Sequence, residues 1–242
     1  MKELIFPEWD IFLNIDSETY NSRFKKYFDY HADNGKIDID VHEKELLCMA
    51  MLHRLSPIFS GKYERIICRD LDALITYRER QAVEQWIKDD TIFHTITDSI
   101  SHNIPIMGGM CGAKSDEFKE TMGVNSFDEM VKSSNNINYS IKGGDQLFLN
   151  QIVLPKIEYS ITEHYILGMV KSDKPYSYNY IQDIKLSIPD ALKESNNLTS
   201  HIGGAYGIDP VLPFIKNNLS DEQKEYFDKI EKEFKYIFYW NY

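Results

Sequence analysis

No stretch of about 18 uninterrupted apolar residues occurs in the chain, so no membrane-spanning helix is expected. Cysteine is scarce: Cys48, Cys68 and Cys111 are the only 3 among 242 residues. The number is odd, no two stand as C-x-x-C, and each sits among apolar neighbours. That pattern argues against a disulfide framework and for buried, reduced thiols in a cytoplasmic, reducing compartment. Positive charge is in deficit, with 27 Lys and Arg against 38 Asp and Glu and a net charge of −11. Binding to a phosphate backbone needs clustered basic side chains, so nucleic acid is not an expected partner. A single phosphate-bearing ligand held through a metal remains compatible with an acidic protein. The N-terminal residues include Glu3, Pro7, Glu8 and Asp10 and lack the apolar core of a signal peptide. No internal repeat is evident. His31, His42, His53, His94 and His164 show no ligand spacing and read as structural or surface residues.

Aromatic residues, by contrast, are plentiful, with 16 Tyr and 13 Phe. They fit either an AT-rich coding sequence or an aromatic binding surface. The length suits one α/β domain over residues 1–242. Strands are expected at 8–16, 37–41, 91–97 and 165–170, from alternation or short apolar runs. Helices are expected from Ser17 to about His31, and at 43–55, 76–88, 116–122, 127–132 and 145–157. Residues 104–113 carry three glycines among apolar residues without a clear period, which suggests a close backbone approach to something. Residues 170–200 read as a long loop, and residues 218–242 as a closing helix with an aromatic end. That end offers a docking surface for an acceptor, a partner or a membrane interface. Strands alternating with helices imply a three-layer α/β fold with a mainly parallel sheet.

The stretch Arg65-Ile66-Ile67-Cys68-Arg69-Asp70-Leu71-Asp72 stands at the centre of this pattern. A short apolar run, as of a strand buried on both faces, ends in two carboxylates one residue apart. Ligands of open α/β sheets gather beyond the carboxyl ends of such strands. Two acids there call for a positive partner, and a divalent cation takes oxygen ligands. Equally, Asp70 can cap a turn and Asp72 can pair with Arg69 or Arg78. Asp98 and His102, in a loop after a strand, are candidates for a base.

Residues 63–73 resemble the D-x-D segment of GT-A glycosyltransferases. Arg78–Trp86 and Pro105–Lys114 resemble a bacterial and viral branch of those enzymes. Gly143-Gly144-Asp145-Gln146-Leu147-Phe148-Leu149-Asn150 is similar to the G-D-Q-D-x-L-N element of family 8, and His201-Ile202-Gly203-Gly204 to its late H-x-x-G element. The resemblance runs in the family's order over roughly residues 5–215.

The resemblance implies a GT-A fold, a nucleotide diphosphate sugar donor and Mn²⁺ or Mg²⁺. Asp70, Asp72 and His201 would be the metal ligands, and the imidazole favours Mn²⁺. Arg69, Asp70, Gly108, Gly109, Lys114 and Gly204 would bind the donor, with Asp145 and Gln146 at its anomeric centre. Asp145 has a plainer alternative, as the N-cap of its helix. The acceptor, whether glycan, lipid or protein, is not specified, and similarity to family 8 leans toward retention of anomeric configuration.

Two features depart from the family. Leu147 replaces the second acid of D-Q-D, and Ala205–Pro210 replaces a basic segment. Pro7-Glu8-Trp9 resembles the P-x-W before the family's second strand, so its first strand is expected to be absent. A binding module derived from such an enzyme, or a haloacid-dehalogenase-like phosphohydrolase with Asp70 as nucleophile, are the competing readings.

Overall fold

A computed structural model describes residues 2–71, 73, 75, 77–97, 104–134, 136–165 and 178–180. It begins with α1 (Lys2–Ile5), β1 (Phe12–Asp16), α2 (Ser17–Tyr20), α3 (Lys25–Asp33) and β2 (Asp38–His42). The expected single helix after Ser17 is thus two. Asp16 starts α2 by accepting from the Thr19 N–H at 2.9 Å and its hydroxyl at 2.6 Å, which holds the carboxyl below its usual range. The Asn21 amide closes the same turn by donating to the Ser17 carbonyl at 2.8 Å. Gly35, at φ 64°, follows the end of α3.

β1 and β2 pair in parallel as a separate two-stranded sheet. It is tied to the body by Ser56, whose hydroxyl donates to Asn14 Oδ1 at 3.0 Å, and by the Tyr63 hydroxyl, which donates to Asp38. α4 (Leu47–Leu52) runs into a 3₁₀ helix, His53–Ser60, which contains Pro57. The expected helix over 43–55 is therefore shorter at its start and continues in tighter form. Pro57 has no N–H to give to an α-helical ladder.

The central stretch forms β3 (Arg65–Arg69). α5 (Tyr77–Asp89), β4 (Phe93–Thr97), β5 (Met110–Lys114), α6 (Ser115–Met122) and α7 (Phe127–Lys132) follow. α8 (Gly144–Phe148), a π-helical turn (Leu149–Val153) and α9 (Leu154–Ile157) make one interrupted helix; a break is expected at Pro155, but the irregular turn precedes it and Pro155 sits in the first turn of α9. β6 (Ile161–Tyr165) and β7 (Tyr178–Tyr180) complete the described elements.

The main sheet has the order β3-β5-β4-β6-β7. β5 is antiparallel to both neighbours, whereas β4, β6 and β7 are mutually parallel. The fold is therefore mixed α/β. Among the described residues the strands form two sheets, and where a mainly parallel sheet is expected the larger one is of mixed sense. β5 lies in the stretch that reads as aperiodic. Met110, Cys111, Gly112 and Ala113 are all buried, so an interior strand leaves no polar alternation to read. β6 starts four residues before the expected strand at 165–170. Its polar Thr162, Glu163 and His164 are 0%, 3% and 0% exposed and hide its interior position.

Side chains of β3 divide between two cores. Ile66 and Cys68 join Leu52, Leu55, Ile58 and Phe118 on one face. Ile67 meets Val83 and Trp86 of α5, with Ile5 and Phe6, on the other. Among the described residues no helix is long and apolar enough to cross a membrane. Most of the stretch 170–200, and all of 218–242, lie outside the described residues. Within the expected long loop, Tyr178–Tyr180 is a strand.

Candidate functional site

β3 and β4 are both antiparallel to β5, so their carboxyl ends meet the amino end of β5 at one sheet edge. Arg69 pairs with Met110 there, which brings Asp70 beside the Gly108–Gly109 turn. The contact is close. A Cβ on Gly109 would stand 2.3 Å from Asp70 Oδ2 and 2.7 Å from its Cγ. A Cβ on Gly108 would stand 2.9 Å from Arg54 Nη1 and 3.1 Å from Asp145 Oδ2. The missing side chains of these two glycines make room for Asp70, Arg54 and Asp145 of the chain itself.

Asp145 is 4% exposed and is the second residue of α8. Gly143, at φ 89°, occupies the cap position, so the N-cap alternative for Asp145 does not hold. Gly144 packs on the loop before it, where a Cβ would be 2.9 Å from the Asn138 carbonyl. Gln146 is partly buried. Asn150, in the π-helical turn, ties the site together. Its Oδ1 accepts from the Ile106 N–H at 2.9 Å, and its Nδ2 donates to the Ile106 and Gln146 carbonyls at 2.9 and 2.8 Å. One amide thereby joins the segment leading to Gly108 to the helix of Asp145. The quoted element 143–150 contains Asn150, but its spacing assigns no partner to it.

Arg54 is the site residue that sequence reasoning misses. Its Nη2 lies 3.2 Å from Asp70 Oδ1, and its Nε donates to the Met51 carbonyl at 2.7 Å. The signal was a lone positive charge three residues after Met51, on the edge of an apolar helical face.

Cys68 and Cys111 are paired across β3 and β5 beneath this group. Their thiols reach the Arg54 and Gly108 carbonyls, each at 3.6 Å. The facing Cys68 thiol, then burial, pushes the Cys111 thiol well above its usual range. Cys111 therefore forms a neutral floor.

Two expected donor-binding residues are not brought here. Arg69 turns to the α5 face and pairs with Glu79 at 3.0 Å, both side chains being largely buried. Lys114 sits at the opposite end of β5, paired with Asp90 at 3.0 Å and Glu117 at 2.5 Å. Alternation along β3 and the length of β5 account for both displacements. Asp72, His201, Gly204, Asp98 and His102 lie outside the described residues.

The acids in the group are hard oxygen donors, which suit Mg²⁺ or Mn²⁺ in kind. Gly109 gives Asp70 a cradle that a Cβ would fill. Among the described residues no three His, Cys, Asp or Glu side chains form a complete metal-binding set. No family model matches the chain, and no curated protein or solved structure matches it.

Proposed function

We propose that this protein is a metal-dependent glycosyltransferase that moves a sugar from a nucleotide diphosphate donor to an acceptor hydroxyl. One observation carries the reading. Asp70, Gly108–Gly109 and Asp145 come from three separated segments and meet at the carboxyl edge of β3 and β4. The resemblance draws on those same three segments. The GT-A fold is part of this proposal and goes beyond the mixed α/β architecture.

Transfer breaks the bond between the sugar C1 and the diphosphate oxygen. The acceptor oxygen bonds to C1 from the same face, and its proton leaves with the departing phosphate. Positive charge grows on the ring as that bond lengthens. Asp145, 4% exposed and fixed on α8, is a preorganised negative group that stabilises this charge. Gln146 orients ring hydroxyls beside it. Asp70, with Asp72 and His201 as the resemblance assigns them, would hold the cation. The bound cation supplies charge compensation for the leaving diphosphate. Product stereochemistry read by NMR tests the face of attack, and an inverted anomer overturns it.

The direct test is thermal unfolding with a panel of nucleotide diphosphate sugars, with and without Mn²⁺. A ligand that binds only the folded state raises the melting point, by about 3 kcal/mol of stability at a hundredfold excess over Kd. A Mn²⁺-dependent shift from one donor, lost in Asp72→Asn, supports the proposal and names the donor. A shift without turnover favours the binding-module reading. Leu147 supports that second reading, since it puts a 38%-exposed apolar side chain where the family carries its second acid.

A further inference from the structure

Asp70 already has a cationic partner in the Arg54 guanidinium, 3.2 Å from its Oδ1. The two side chains differ in freedom. Arg54 is 16% exposed and anchored through Nε to the Met51 carbonyl at 2.7 Å, whereas Asp70 is 48% exposed. The guanidinium is therefore part of the wall, and the carboxylate is the adjustable member. Arg54 Nη1 and Asp145 Oδ2 both approach the point that a Cβ on Gly108 would occupy, at 2.9 and 3.1 Å, so the guanidinium and the second acid border the same small space. Among the described residues no other cation forms an ion pair with Asp70.

Resting on the proposed reading of Asp70 as a cation ligand, we infer that Arg54 is the internal counter-ion a divalent cation must displace from Asp70. A cation coordinated by an Asp70 oxygen, at about 2.2 Å, would come within roughly 5 Å of the guanidinium. Two positive groups cannot share one carboxylate at that distance without strong repulsion. On this inference the repulsion turns the Asp70 carboxylate from Arg54 toward the cation, leaving the guanidinium free for a negatively charged ligand. Arg54 thus sets how weakly the empty site holds a cation, and it is released when an anionic ligand can take its charge.

The experiment is Mn²⁺ binding to the full chain without donor, by calorimetry and by the electron-spin signal of free Mn²⁺. Arg54→Gln keeps a polar side chain that can still donate and removes the charge. It should bind Mn²⁺ at least tenfold more tightly than wild type, and the gain should vanish in Arg54→Gln combined with Asp70→Asn. Equal or weaker binding by Arg54→Gln, with wild type binding, overturns the inference and leaves the metal reading intact. No binding by either protein at millimolar Mn²⁺ overturns both. Wild type provides a check that does not depend on folding of the variant. Mg²⁺ titration should shift the Arg54 side-chain N–H resonances and speed their exchange with water. Unchanged resonances at saturating Mg²⁺ overturn displacement.

Discussion

Glycines separate two kinds of close approach. At Gly109 the obstructing atoms belong to the half-exposed Asp70 carboxylate, 2.3 Å from an added Cβ. Asp70 can swing into water, so Gly109→Ala should change stability by only about 1 kcal/mol, the loss of one hydrogen-bonded contact to the largely buried Arg54. Its Mn²⁺ response should nonetheless be altered, because Asp70 has moved. At Gly112 the obstruction is the Ile66 carbonyl at 2.7 Å, with Trp86 at 3.1 Å, and neither can withdraw. Gly112→Ala should cost about 3 kcal/mol in urea unfolding. Equal effects of the two changes would contradict this distinction.

Titration offers a second residue-scale test. His94 is held well below its usual range by burial and then by His164, and burial pushes His164 down to about 4. The unfolded chain binds those protons near pH 6.5 while the folded chain does not. Stability should therefore fall as pH drops from about 6.5 toward 4, with His164 contributing up to about 3 kcal/mol. His164→Leu should show a shallower loss than wild type in urea midpoints over that window.

Elements were legible where the environment differs between their faces. α5 shows the expected periodicity because it has an outer side, whereas β1 covers only 12–16 of the strand expected at 8–16 and its burial does not alternate. β5 shows no period, since its strand runs through the middle of the sheet, and β6 carries polar side chains inward. The interrupted helix over 144–157 is another case, where a π-helical turn places Asn150 against Ile106. Removing that amide leaves the Ile106 N–H and carbonyl without this partner. Asn150→Ala should lose about 2 kcal/mol and speed amide exchange at Ile106, while exchange in β3 stays slow. Unchanged exchange at Ile106 would show that the amide does not hold the turn.

At the scale of the whole molecule, the described residues form two sheets of unequal protection. β4 is buried at all five positions, whereas β1 and β2 are mostly partly buried and, among the described residues, pair with no other strand. Two-stranded units are weakly stable by themselves. Hydrogen exchange should open β1–β2 at a lower free energy than β4–β5. Uniform protection would mean that the contacts through Ser56 and Tyr63 bind the small sheet as firmly as the main one. At this scale the sequence alone determined that α/β elements alternate, that Asp70 follows a strand and that the cysteines are buried and free. Those features follow from local patterning and from what burial permits. Only the tertiary structure decided the antiparallel sense of β5, the removal of Arg69 and Lys114 from the site, and the pairing of Arg54 with Asp70. Side-chain alternation and strand sense act across distant segments, and no local pattern records which charge will meet which across a sheet edge.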